Sequence, residues 1–215
     1  ELVGLVQRLI EAEPELAARS AAFDLADSLA ALMEEMQGEG VSPDRIADLD
    51  VSDQSGHWQR ALRFVSIVQH YFEGDAAPDG PGYARMALDR LVAGWAQTPP
   101  ADPVIVAGST GSRGTTHALM RAVARLPRGA VVLPGVDPHM PQSVWDSLTD
   151  ALSGEDHPQF RFARLMAELD LTRADLLDWP GASAPDPDRN RVVSLALRPA
   201  PVTHQWRTEG PQLPP

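Results

Sequence analysis

Apolar residues return every three or four positions through most of the first hundred residues, which predicts a run of amphipathic helices. Leu2, Leu5, Val6, Leu9 and Ile10 set the first. A second is expected over 20–37, with Leu25, Leu29, Leu32, Met33 and Met36 as its face and Gly38 and Gly40 as its stop. Ser42-Pro43-Asp44 reads as an N-cap followed by an N1 proline and predicts a short third helix through Ile46. Trp58, Leu62, Val65, Val68 and Phe72 line a fourth, ended by Gly74. After a Gly/Pro/Asp loop at 74–82, a fifth carries Tyr83, Met86, Leu91 and Trp95 up to Pro99-Pro100.

Beyond residue 100 the pattern changes. Val104-Ile105-Val106 is a short apolar β-branched run, as expected of a strand buried on both faces. A Gly/Ser/Thr loop at 108–114 follows, then a helix over 115–126 and a second strand over 130–133. Strand, loop, helix and strand make one βαβ unit, which requires parallel pairing. Helices are expected over 141–152 and 160–169, and Thr172-Arg173-Ala174-Asp175 has the form of a capping box that opens another. Residues 181–189 read as a Pro/Asp/Ser linker, Val192–Ala196 as a strand, and the proline-rich tail from Arg198 as extended chain.

Charge narrows the chemistry. Thirty acidic residues face eighteen basic ones, a net charge of −12. Such a balance is poorly suited to gripping phosphates by counterion release. All the basic residues are Arg, a habit of GC-rich genomes before it is a functional signal. Without Lys there is no phosphate-loop lysine, Schiff-base lysine or Ser–Lys dyad. With no Cys, the chain holds no disulfide, iron–sulfur cluster or common structural zinc site. No apolar run approaches the roughly 20 residues that span a bilayer. Glu1 opens the chain inside a helical pattern and without Met, which suggests a piece of something longer.

The loop Ala107-Gly108-Ser109-Thr110-Gly111-Ser112-Arg113-Gly114 draws attention first. Its glycines sit at every third position, so both the phosphate-loop and the dinucleotide patterns fail. The free amides of the following helix still favour an anion, and Arg113 could touch one; a tight structural turn is the commoner reading. The same loop imitates a nucleophile elbow around Ser109. A hydrolase would then need an acid from Asp137, Asp178 or Asp188 and His204 as base. Only helices precede the strand, however, whereas that fold places several strands there. Asp137 and His139 are neighbours after the second strand, but two ligands do not make a metal site. His57, His70 and His117 are expected on helix surfaces. The five tryptophans, Trp58, Trp95, Trp145, Trp179 and Trp206, read as core or interface anchors, since no basic stripe accompanies them.

At the βαβ unit the sequence meets a family. Pro103-Val104-Ile105-Val106-Ala107-Gly108-Ser109-Thr110-Gly111-Ser112, and then 124–135 (ARLPRGAVVLPG), closely resemble the AddB proteins of alphaproteobacteria. Residues 20–29, 32–36, 157–160 and 198–200 resemble the same family, so the likeness reaches over most of the chain. It implies a helix-rich α/β fold: a partial RecA-like, P-loop NTPase-like parallel sheet with an accessory helical domain. Residues 1–100 would be the helical domain, 101–180 the βαβ part with its following helices, and 181–215 the linker, strand and tail. It also implies a subunit of a cytoplasmic ATP-dependent helicase–nuclease for double-strand-break repair and recombination. That subunit would be partnered by AddA and, through the complex, by DNA. ATP with Mg and an iron–sulfur cluster would belong to the parent family rather than to this segment.

In active helicases of that kind the corresponding strand ends in adjacent carboxylates, one on Mg²⁺ and one on the attacking water. Here Val106 is followed by Ala107 and Gly108. The resemblance therefore implies a degenerate motif loop, Ala107, Gly108, Ser109, Thr110 and Gly111, in a scaffold with no catalytic residue of its own. A serine hydrolase built on Ser109 and a stand-alone interaction module are the alternatives.

Overall fold

A computed structural model describes residues 2–42, 45, 80–150, 154–181 and 184–213. The expected short helix opening at Ser42-Pro43-Asp44 and the helix through Trp58 and Phe72 lie, apart from Ser42 and Arg45, outside these residues. No described helix is long and apolar enough to cross a membrane. The described residues are helix-rich, with one small parallel sheet, and fall into two units.

The first unit comprises residues 1–97 with 113–115. Helix α1 (Leu2–Ala12) turns Val6 and Ile10 fully inward. Helix α2 (Ala22–Glu39) answers with Ala22, Ala26, Leu29, Met33 and Met36, whose spacing keeps one stripe inward. Leu29 is fully buried, and burial of such a side chain stabilises by roughly 1.5–3 kcal/mol. Gly40 ends α2 at φ +69°, and the Val41 amide donates back to the Met36 carbonyl at 2.8 Å. Helix α3 (Gly80–Gln97) also packs on α2. Its expected face is corrected: Tyr83, Met86 and Leu91 are exposed, Trp95 is half-buried, and Leu88 is the buried position.

In the second unit, β1 (Val104–Ala107) and β2 (Gly129–Val132) pair in parallel, Val104 opposite Gly129 and Ala107 opposite Val132. Between them runs α4 (Gly114–Ala124). Gly129 has to be glycine, because a Cβ there would meet the Val123 carbonyl oxygen at 1.8 Å. The expectation of a strand buried on both faces fails. Ile105 is 62% exposed and Ala107 is exposed too, so one face of β1 is open to solvent.

The unit's core lies elsewhere. Helix α5 (Gln142–Ser147), shorter than expected, contributes Val144 and Trp145, and helix α6 (Phe160–Glu168) contributes Phe162, Ala163 and Met166, around Met140 and Leu148. The Thr172–Asp175 box forms, but it opens only the 3-10 turn Arg173–Asp175. Trp179-Pro180 soon follows and opposes helix.

Two expectations for the C-terminal part are corrected. Val192–Ala196 is not a strand but the end of helix α7 (Pro187–Ala196). The Asp186 carboxylate accepts the Arg189 amide at 2.9 Å and Pro187 presets the first turn, so local capping outweighs the β-branched pair Val192-Val193. The tail is folded rather than extended: 3-10 turns at Ala200–Val202 and Gly210–Gln212 flank helix α8 (Gln205–Glu209).

Candidate functional site

Parallel strands in α/β folds collect ligands beyond their carboxyl ends, so the loops after β1 and β2 are the places to look. The first, 108–112, turns at Gly108 (φ +75°) and Gly111 (φ +66°). Ser109 Oγ accepts the Gly111 amide at 3.2 Å, which makes Ser109 a turn residue. Beneath Gly111 lies His117, which is buried, a correction to the surface position expected of it. His117 Nε2 is 3.2 Å from Glu168 Oε2. Arg121 Nη1 donates to that oxygen at 3.0 Å, Arg164 Nε to Oε1 at 3.0 Å, and Arg125 to the Glu168 carbonyl at 2.9 Å. Burial alone would raise the Glu168 pKa, but the hydrogen bonds from Arg164, His117 and Arg121 outweigh it and hold the carboxyl below its ordinary range. A carboxylate so fixed accepts Nε2–H, leaving His117 Nδ1 buried and without a hydrogen-bond partner. His117 carries no signal in the sequence other than its four-residue spacing from Arg121.

The start of α4, residues 113–115, groups with the first unit. There the Gly114 amide donates to Glu39 Oε1 at 2.7 Å and Thr115 Oγ1 to the Gly38 carbonyl at 3.2 Å. The anion expected at this helix start is therefore supplied by the protein's own carboxylate. Arg113 is exposed.

The second loop, 133–141, is clamped from three directions. Gln159 Nε2 donates to the Gly135 carbonyl at 3.0 Å, and its Oε1 accepts the Asp137 amide at 3.0 Å. Arg173 donates to the carbonyls of Met140 at 2.7 Å and Asp137 at 3.0 Å, while its guanidinium stands 5.1 Å over the Trp145 ring. Arg198, itself only 5% exposed, donates to the His139 carbonyl at 3.4 Å, Ser194 Oγ at 3.1 Å and Gln205 Oε1 at 2.9 Å. Among the described residues its carboxylate partner is Glu209 at 3.5 Å.

The Asp137 carboxylate accepts the His139 amide at 2.8 Å, which makes the pair part of the loop's own turn. A cavity of about 160 Å³ opens beside the loop, lined by Asp137, His157, Gln159, Asn190 and Ser194 among others. Burial lowers the His157 pKa, the Leu197 main chain and Asp137 offsetting part of that. His157 Nδ1 accepts the Gln159 amide at 3.1 Å, so the ring is neutral with its proton on Nε2. An Nε2 that carries hydrogen cannot ligate a metal, and no group of three or more metal-binding side chains gathers among the described residues.

The residues named from the sequence are not assembled for catalysis. Ala107, Gly108, Thr110 and Arg113 are exposed, and His204 and Asp178 lie exposed without a hydrogen bond to Ser109. Asp188 sits in the first turn of α7. β1 runs out into Ala107 and Gly108, which offer a magnesium ion neither a carboxylate nor a hydroxyl. Nor is there a thiolate for an iron–sulfur cluster. No protein-family model, curated protein or solved structure matches the chain.

Proposed function

We propose that this chain is a non-catalytic scaffold segment of an AddB-type subunit, part of a cytoplasmic helicase–nuclease that processes double-strand DNA breaks. The βαβ unit would be part of a degenerate RecA-like sheet, and the N-terminal helices an accessory domain. AddA would be its partner, and DNA would be reached through the complex. One observation carries the non-catalytic part of the reading: β1 runs out into Ala107, Gly108 and Ser109, where the resemblance would put a motor's two acids. The Glu39 carboxylate on the Gly114 amide supports it, because a phosphate there would have to displace a fixed negative charge. The purified protein should show no DNA-stimulated ATP hydrolysis. Turnover at motor-like rates would sink the reading.

A second reading, hydrolysis at Ser109, gains a buried His117–Glu168 pair near its loop. Against it, Ser109 Oγ accepts from Gly111, and His117 Nδ1 bonds to nothing. A fluorophosphonate probe should leave Ser109 unlabelled; stoichiometric labelling would reverse the order of the two readings.

A further inference from the structure

Between the 3-10 turn Arg173–Asp175 and helix α7, the second unit displays apolar side chains to water. Leu177 is 94% exposed and Trp179 65% exposed, just after Leu176, where the backbone leaves the turn in an extended conformation (φ −75°, ψ +131°). Two positions apart, they leave the stretch with a pair of bare apolar side chains. Tryptophan beside an aliphatic neighbour is the composition of an interface anchor, and a Leu this bare has no folding role in the chain itself.

The stretch is held where it begins. Upstream, Thr172 donates both its amide and its hydroxyl to Asp175 Oδ2 at 2.7 Å, and Arg173 is tied to the loop after β2. Leu176 packs against the core. Downstream, Asp186 caps α7. A tethered stretch loses less freedom on docking than a free tail.

Charge decides the partner. Residues 170–188 carry five aspartates, Asp170, Asp175, Asp178, Asp186 and Asp188, against Arg173, whose guanidinium is already engaged. Hydrogen bonds from the Thr172 side chain and backbone keep Asp175 ionised to lower pH than usual. Two such acidic stretches repel each other, and nucleic acid or an anionic membrane would be repelled too.

We propose that Leu177 and Trp179 dock into a groove with an apolar floor and a basic rim on a partner protein. Under the scaffold reading, on which this rests, that partner is the AddA-type subunit. The test mixes the full chain with that subunit, measures the affinity, and follows Trp179 by oxidative footprinting. Leu177→Ala with Trp179→Ala should weaken association about 30-fold, the scale of a hot spot. Tyr83→Ala, which removes an aromatic of equal exposure (65%) from the first unit, should not. Trp179 should be protected in the complex, and affinity should fall as salt screens the aspartates. Both variants should keep the thermal unfolding midpoint of the parent chain. A complex that forms with Trp179 still reactive and the double variant binding normally overturns the docking site and leaves the scaffold reading standing. Affinity indifferent to salt overturns the basic rim. If the parent chain forms no complex at all, the docking proposal falls together with the reading beneath it.

Discussion

The loops after β1 and β2 occupy equivalent places in one βαβ unit and are built in opposite ways. The first, 108–112, shapes itself: two glycines at positive φ and one serine hydroxyl on a backbone amide. The second, 133–141, is shaped from outside, its carbonyls taken by Gln159, Arg173 and Arg198, which lie between 22 and 59 residues away along the chain. Glycine spacing makes the first conspicuous in a sequence, while the tertiary structure invests its polar contacts in the second. A glycine-rich loop therefore reports backbone geometry, and a pre-organised loop is recognised by the side chains that reach it.

The largest test of that contrast is Arg198→Ala. It removes a buried guanidinium that joins the second loop to α7 and α8, and should cost about 3 kcal/mol in urea unfolding, the low end for a buried charged network because Glu209 can rehydrate. A loss below roughly 1 kcal/mol, the value of an ordinary hydrogen bond, would show the clamp to be incidental. Gln159→Ala should come next, at about 1–2 kcal/mol for two hydrogen bonds to the loop, with faster amide exchange at Asp137.

Glu168→Gln should cost roughly 1 kcal/mol at neutral pH, discounted for its partial exposure to solvent. Because the folded pKa of Glu168 lies below the unfolded value, its contribution is present above the unfolded pKa of about 4.5 and is lost as pH falls through the folded one. Acid unfolding of the variant should therefore be shallower in that window, and an unchanged slope would remove Glu168 from the account. Ser109→Ala should have the smallest effect, about 0.5 kcal/mol, since one local turn bond is lost. A cost equal to that of Gln159→Ala would erase the difference between the loops.

Much of the fold was legible in the residues. α1, α2 and α6 follow their apolar periodicity, and the parallel β1–β2 pairing follows from strand, helix and strand in sequence. Where the reading failed, a long-range or competing local term decided. β-branched Val192 and Val193 suggested a strand, yet Asp186 and Pro187 start a helix through them. The proline-rich tail looked extended, yet Arg198 and the Trp206 indole, which donates to the Leu195 carbonyl at 2.8 Å, fold it back. His117 looked like a surface residue because nothing local reveals Glu168, fifty-one positions away.

The amino-acid order by itself determined α1, α2 and α6, the parallel β1–β2 pairing and that β1 ends without an acid, because periodicity, capping and side-chain identity act over a few residues. Only the tertiary structure decided that Glu39 sits on the Gly114 amide, that the second loop is clamped and that Leu177 and Trp179 stay bare. Those outcomes depend on which distant groups meet, and contacts between residues far apart in sequence leave no periodic trace in it.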